Sequence, residues 1–244
     1  MKLEQITFTG IDESTQISRL ADICQQYPFV EFGVLVSRSS AGKRPRYPSL
    51  EWIDDLVQDV PRINLSCHIC GSLSYNTLKG KSDVLDFLGH RLEKFGRAQL
   101  NFGARLEKVA FPGFVEVIRQ FATDEIILQI YGRNLEIALA VCAEGMPVAG
   151  LVDESSGRGV VPGSWSLPTM SFKCGFAGGL GPDNIVAEAE RIASILPENY
   201  GTWLDMETKV RSEDDTKFEL DKVLECIDQL MGHCFIGEIC RDSE

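Results

Sequence analysis

The feature that most constrains the fold is a regular alternation of two kinds of segment along the 244-residue chain. Short segments rich in β-branched and apolar residues alternate with segments whose apolar residues recur every three or four positions, which is the spacing of amphipathic helices. Eight strands are predicted in this way, over residues 5–9, 29–37, 62–70, 97–102, 125–131, 147–153, 171–177 and 201–206. Helical spacing follows each strand except the sixth, where residues 154–170 lack a convincing helix.

Eight strand–helix units within one domain length predict an α/β fold, a single-domain (β/α)8 TIM barrel. We assign residues 1–244 to that barrel, with a short C-terminal extension over about residues 232–244. A doubly wound open sheet is the alternative. The distinction matters because a closed barrel brings the loops at the C-terminal ends of all eight strands around one site.

Charge and composition narrow the classes of partner. The chain has 36 acidic and 24 basic residues and a formal net charge of -12, which disfavours nucleic acid and anionic membrane surfaces as partners. The N-terminal residues lack a secretory pattern, and no apolar run approaches the roughly 18 residues of a membrane span. We therefore expect a cytoplasmic protein; the sequence leaves its oligomeric state undetermined.

A glycine-rich turn follows the seventh predicted strand. Gly178 and Gly179 would let the backbone approach a ligand closely, and Pro182 suits the first position of a helix. Backbone amides at a helix N-terminus bind anions, and barrels commonly hold phosphate in the loops after the seventh and eighth strands. The glycines indicate either a phosphate site or merely a tight turn.

Several segments resemble, in order, the phosphoribosylanthranilate isomerase family of ribulose-phosphate-binding barrels, which acts in tryptophan biosynthesis. Residues 176–185 resemble its seventh-strand phosphate loop, and residues 151–153 with 157–159 and Trp165 are similar to its sixth strand, glycine-rich loop and tryptophan. Residues 33–36 with Arg46 resemble its second strand and substrate-binding arginine. Gln99 lies where the family has a similar residue on its fourth strand. The resemblance covers roughly residues 5–230.

The resemblance implies an Amadori rearrangement, in which a phosphorylated aminoaldose becomes an aminoketose. Asp153 would be the general acid that protonates the ring oxygen, and Arg46 would contact the substrate. The amides of Gly178 and Gly179 would hold the phosphate. The remaining substrate-binding candidates are Gln99, Asn101, Glu207, Thr208 and Lys209. No cofactor and no metal are implied, and the expected partner is a small phosphorylated molecule.

Two positions depart from the family pattern. Thr9 stands where the family has its cysteine base, and a threonine hydroxyl needs a neighbouring base to accept a proton. Residues 207–209 replace the Ser-Ser-Gly that closes on the phosphate, and Glu207 there would repel it unless a cation compensates. His68 is the candidate replacement base because histidine titrates near neutrality, with Glu207 and Asp12 as further candidates. A structural role for His68 is the alternative.

Two further patterns have a structural explanation as well as a functional one. Cys67 and Cys70 are three residues apart in a predicted strand, so they should point to opposite faces and not form a metal site. The basic residues 43–46 are either a solvated loop or a cover for the barrel mouth.

Two hypotheses about function follow. The first is an isomerase acting on a small phosphorylated sugar derivative, with Asp153 as acid and Thr9 in place of the usual base. The second is a barrel that has lost this activity and binds a small molecule, or one that catalyses a different reaction on a related substrate. Thr9 favours the second hypothesis, and Asp153, Arg46 and the Gly178-Gly179 pair favour the first.

Overall fold

Eight parallel strands close into a barrel in their order along the chain. The computed structural model describes residues 1–60, 62–102, 109–130, 134–153, 159–233 and 235. The strands are β1 (Lys2–Thr9), β2 (Val30–Val36), β3 (Leu65–Cys70), β4 (Arg97–Asn101), β5 (Glu125–Gln129), β6 (Val148–Asp153), β7 (Cys174–Ala177) and β8 (Gly201–Met206). Because β1 pairs with both β2 and β8, the sheet has no edge. The predicted (β/α)8 barrel is confirmed, and the open sheet is wrong.

The helices lie between consecutive strands. They are α1 (Ile17–Gln26), α2 (Leu50–Val57), α3 (Ser72–Leu78), α4 (Asp83–Leu88), α5 (Phe111–Ile118), α6 (Asn134–Ala143), α7 (Ile185–Ile195) and α8 (Leu220–Gly232). Ser49 caps α2 by accepting a hydrogen bond from the Trp52 backbone N–H at 3.2 Å. Among residues 159–170 no helix forms, as predicted for this connection.

Several predicted boundaries were wrong. β1 starts at Lys2 instead of residue 5, because its first residues pair with β8, a partner about 200 positions away that periodicity does not reveal. β3 and β7 each start three residues later than predicted. Helix α7 begins at Ile185 and not at Pro182. The predicted end of the fifth strand, Tyr131, lies outside the described residues.

The C-terminal end of α8 coincides with the start of the predicted extension. Beyond Gly232, the Phe235 carbonyl accepts a hydrogen bond from the Leu3 backbone N–H at 3.3 Å, so this part of the chain lies against the start of β1. Residues 236–244 lie outside the described part of the chain.

A buried charge network fills the N-terminal end of the barrel. The Arg97 guanidinium pairs with Glu31 at 2.6 Å and lies over the Trp203 ring at 4.7 Å from its centroid. Thr7 donates a hydrogen bond to the same Glu31 carboxylate at 2.9 Å. With this end filled by side chains, the opening into the barrel interior lies at the C-terminal ends of the strands.

None of the helices in the described residues has the length and apolar character needed to cross a bilayer.

Candidate active site

A cavity of about 320 Å³ opens at the C-terminal ends of the strands. The strands β2 to β8 and the loops after β2, β6, β7 and β8 all contribute to it. Its lining residues are Leu35, Arg46, Tyr47, His68, Cys70, Gln99, Asn101, Gln129, Leu151, Asp153, Gly159, Ala177, Gly178, Gly179, Leu180, Asp205, Glu207, Thr208 and Lys209. Of the twelve candidate residues chosen from the sequence, ten line this cavity. The two exceptions are Thr9 and Asp12.

The glycine turn after β7 forms one wall of this cavity. Gly178 and Gly179 have φ angles of 124° and 65°, which favour glycine. A Cβ on Gly179 would lie 2.5 Å from the Val161 backbone nitrogen, so only glycine lets the loop after β6 approach. Within the described part of the chain, the backbone N–H groups of these two glycines donate no hydrogen bond. Among the described residues, these two N–H groups therefore have no protein acceptor.

Asn184, which precedes α7, holds this turn in shape. Its side-chain oxygen accepts a hydrogen bond from the Gly181 backbone N–H, and its amide donates to the Gly179 carbonyl, both at 2.9 Å. Lys209 packs against the same turn, since a Cβ on Gly181 would lie 2.3 Å from the Lys209 Cβ. Within the part of the chain that the structure describes, the turn thus combines two amides that have no acceptor with a lysine that forms no ion pair.

The loop after β6 is fixed against this turn by a buried tryptophan. Trp165 donates a hydrogen bond to the Glu188 carboxylate on α7 at 2.7 Å, and its ring packs edge-on against Phe176 on β7. Gly159 on the same loop lines the cavity. The other two residues of the predicted glycine-rich loop, Gly157 and Arg158, lie outside the described residues.

Asp153 ends β6 and lines the cavity beside the glycine turn of the neighbouring strand β7. The residue is 6% exposed, and Gln129 at the end of β5 donates a hydrogen bond to its carboxylate at 3.5 Å. This position places one carboxyl group on the same wall as the glycine turn.

Thr9 does not line the cavity, and the expectation that it would is wrong. Its side chain is buried, and its hydroxyl donates a hydrogen bond to Asp205 Oδ1 at 2.8 Å. Gly33 on β2 leaves the room for it, because a Cβ there would lie 2.3 Å from the Thr9 hydroxyl. The threonine therefore acts on the cavity through Asp205.

His68 on β3 lies between three polar groups. Its Nε2 is 3.1 Å from the Ser66 hydroxyl and 3.5 Å from that of Thr9, and Gln99 donates to Nδ1 at 3.2 Å. Because the Gln99 amide nitrogen can only donate, Nδ1 is an acceptor, and the proton of the neutral ring is on Nε2. Burial lowers the pKa of His68 to about 4, so the ring is neutral at physiological pH.

The polar contacts continue from His68 across the floor of the cavity. Gln99 also donates to Asn101 at 2.9 Å, and Asn101 donates to the Cys70 sulfur at 3.3 Å. The side-chain oxygen of Gln99 is buried and has no partner among the described residues. A buried acceptor without a partner is costly, so a donor on a bound molecule would be favoured here. Cys67, in contrast, packs in the core outside the barrel.

Arg46 lines the cavity, but two carboxylates already hold its guanidinium. Nη1 forms an ion pair with Glu207, and Nη2 forms one with Asp215 at 2.6 Å. The backbone at Arg46 has a φ of 63°, and its N–H donates to the Asp12 carboxylate at 2.8 Å. Arg46 is therefore the cation that compensates the charge of Glu207.

Arg211 is buried away from the cavity. Its guanidinium pairs with Asp12 at 2.8 Å and with Asp215 at 2.6 Å. Asp12, a candidate base in the sequence, is thus occupied by this network and does not line the cavity. Of the basic run at residues 43–46, only Arg46 reaches the cavity; Lys43 and Arg44 do not line it.

Sequence reasoning missed Asp205 as a site residue. It lies on β8, is 7% exposed and lines the cavity. Burial raises its pKa to about 8, against the hydrogen bond from Thr9, which lowers it. Strand parity could have found it, because Trp203 and Asp205 are two residues apart and both point into the barrel.

Comparison with known proteins yields structural neighbours only. One is N-(5'-phosphoribosyl)anthranilate isomerase from Pyrococcus furiosus, with 15% identity, a TM-score of 0.52, and coverage of 93% of this chain and 98% of that one. Another is KGPDC from Streptococcus mutans, with 10% identity, a TM-score of 0.53, and coverage of 95% and 99%. No protein-family model and no curated protein sequence matches the chain. At these identities the neighbours support the barrel fold and nothing finer.

Proposed function

We propose that the protein is an enzyme that binds a small phosphorylated sugar derivative at the barrel mouth and isomerises it by proton transfer. The reaction type is the aldose–ketose, or Amadori, rearrangement of the phosphoribosylanthranilate isomerase family, which its motifs resemble. The observation that carries the proposal is one cavity with an anion site at Gly178 and Gly179 and a carboxyl group at Asp153.

The glycine turn and Asp153 have separate roles in this proposal. The unpaired amides of the glycine turn and the Lys209 ammonium hold the phosphate, since both are donors with positive charge. Asp153 donates a proton to the ring oxygen, the C1–O bond breaks, and the nitrogen lone pair forms the C=N bond. A base then takes the C2 proton, and the released electron pair neutralises the iminium. The resulting enol tautomerises to the ketone.

The substitution Lys209→Met tests the phosphate site. It removes the charge but keeps the apolar stem that packs on Gly181, so the turn should keep its shape. A charged hydrogen bond contributes about 1.5–3 kcal/mol, which predicts a 10- to 100-fold rise in KM for N-(5'-phosphoribosyl)anthranilate with little change in kcat. The matched control is Lys217→Met, an exposed lysine on the loop before α8 that does not line the cavity. An unchanged KM in Lys209→Met would contradict the phosphate assignment.

A barrel that binds a ligand without isomerising it is the second candidate. It is favoured by Thr9, which has no thiol and does not reach the cavity, and by Arg46, whose guanidinium is already paired. Growth of a tryptophan auxotroph lacking the isomerase distinguishes the two. Rescue by the wild-type chain supports the isomerase. If neither wild type nor Thr9→Cys rescues growth or turns over the substrate, the isomerase proposal is wrong.

A further inference from the structure

We propose that Asp205 is the base that takes the carbon-bound proton, and that the buried Thr9 hydroxyl positions its carboxylate. This inference rests on the proposed function, because it assigns the group that the isomerisation needs and that the family pattern leaves missing at Thr9. Asp153 and Asp205 then form the acid and base of one proton transfer.

The placement of Asp205 meets the geometric requirement for this role. It lines the cavity from β8, the strand that pairs with β1, where the family has its cysteine base. Thr9 at the end of β1 donates to Asp205 Oδ1 at 2.8 Å, which leaves Oδ2 without that donor. β6 and β8 are separated by β7, which carries the glycine turn. The two carboxyl groups therefore flank the phosphate site.

The groups around Asp205 also give it a suitable basicity. Those facing it are Glu207 on the following loop, Glu31 on β2, Arg97 on β4 and, beyond Thr9, His68 on β3. Burial first, and then the two glutamates, raise its pKa to about 8, while Thr9 and Arg97 oppose this. A free cysteine thiol titrates at about 8.5, so the buried carboxylate has nearly the proton affinity of the thiolate it would replace. General bases work best when their pKa is near the operating pH.

The other titratable groups of the cavity fit the role less well. Burial raises the pKa of the Cys70 thiol to about 12, so it stays protonated. His68 is a weak base with a pKa near 4, and its hydrogen bonds engage both ring nitrogens. Glu207 is held by the Arg46 ion pair.

The protons balance over one turnover. Asp153 gives its proton to the ring oxygen as the C1–O bond breaks. The Asp205 carboxylate accepts the C2 proton, and the C–H electron pair forms the C1=C2 bond as the C=N electrons return to nitrogen. The tautomerisation of the enol to the ketone returns the site to its starting protonation state through solvent. No oxidant or cofactor is needed.

The test compares Asp205→Asn and Thr9→Val with wild type, using N-(5'-phosphoribosyl)anthranilate over pH 6–9. Asp205→Asn should lower kcat by about 100- to 10,000-fold, the usual contribution of a general base, while KM changes little. Thr9→Val should keep activity but move the rising limb of kcat/KM about one pH unit higher, because the hydroxyl that stabilises the carboxylate is gone. It should also slow exchange of the C2 proton with solvent deuterium at neutral pH.

Thr202→Val is the matched control. It removes a buried hydroxyl from β8 itself, but one that donates to the Cys174 carbonyl on β7 and does not line the cavity. Its pH profile should match that of wild type, even if thermal denaturation shows a loss of stability.

The outcomes separate this inference from the proposed function. If wild type turns over the substrate but Asp205→Asn keeps its kcat, the base is elsewhere and the enzyme assignment stands. If Thr9→Val and Thr202→Val have the same pH profile, Thr9 has no positioning role. If wild type neither turns over nor exchanges the C2 proton, both the function and the base assignment are overturned.

Discussion

Asp205 and His68 lie on opposite sides of the Thr9 hydroxyl, and burial moves their pKa values in opposite directions. Burial favours the neutral form of each, so the carboxyl holds its proton up to about pH 8 and the imidazole stays unprotonated down to about pH 4. The same hydrogen-bonded group thus carries no net charge over most of the physiological range. Its effects on stability, however, depend on pH.

The contributions of Asp205 and His68 to the pH dependence of stability should partly cancel. The Asp205 contribution is present below pH 3.8 and is lost as pH rises towards 8, whereas the His68 contribution is present above pH 6.5 and is lost as pH falls towards 4. The two slopes therefore oppose each other between about pH 4 and pH 6.5. The unfolding free energy of Asp205→Asn minus that of wild type should therefore rise continuously from pH 4 to pH 8. The same difference for His68→Gln should fall from pH 4 to pH 6.5 and then stay constant.

Urea denaturation at half-unit pH steps measures both differences. Two flat difference curves would mean that neither group has a shifted pKa in the folded protein, which would also remove the basicity argument for Asp205.

The connection from β7 to α7 shows how one side chain shapes a loop. Asn184 bonds to the backbone of both Gly179 and Gly181, and α7 begins at the next residue. The turn is therefore held by its own helix, and its shape does not depend on a bound anion. A preformed anion site binds more tightly because less conformational entropy is lost on binding.

Asn184→Ala should weaken both the fold and the anion site. The loss of two hydrogen bonds to buried backbone groups predicts a cost of about 1–2 kcal/mol in unfolding free energy. The affinity for inorganic phosphate, measured by calorimetry, should fall as well. Ser194→Ala, near the other end of α7, removes an exposed hydroxyl that donates to the Arg191 carbonyl, and it should leave the phosphate affinity unchanged. Equal phosphate affinities in the two variants would show that Asn184 does not organise the site.

Arg211 connects parts of the molecule that are far apart in the chain. From the loop after β8 it reaches the Gly10 carbonyl and the Asp12 carboxylate after β1. Asp12 in turn holds the backbone of Arg46 after β2, and Asp215 pairs with both arginines. Three loops are thus joined across the point where the barrel closes between its last and first strands.

Arg211→Lys should destabilise the whole barrel. The guanidinium is fully buried and makes several directed contacts that an ammonium group does not reproduce, and a broken buried ion pair costs about 3–5 kcal/mol. Chemical denaturation should show this loss. Arg62→Lys, in an exposed pair with Asp59, should change stability by less than about 1 kcal/mol. A similar small change in Arg211→Lys would mean that the network contributes little to closure.

The sequence predicted the barrel because each strand and helix has its own periodicity, which depends only on nearby residues. The glycine turn was predicted from its place after a recognisable strand, whereas Asp153 was chosen because its segment resembles the family's sixth strand. Sequence reasoning misjudged Thr9, which was expected at the cavity surface, because the depth of a residue in the barrel depends on strand register. It missed Asp205 because its importance comes from burial and from Thr9, a residue 196 positions away.

By itself the sequence determined the order of strands and helices, the charge of the chain and the loops that meet at the barrel mouth. Only the tertiary structure decided which carboxyl groups are buried, which are paired and which face the cavity. Arg46 illustrates the difference: its place after β2 is evident from the sequence, but its pairing with Glu207 and Asp215 follows from ring closure. Local patterns specify local structure, whereas desolvation and ion pairing are set by neighbours that meet only when the barrel closes.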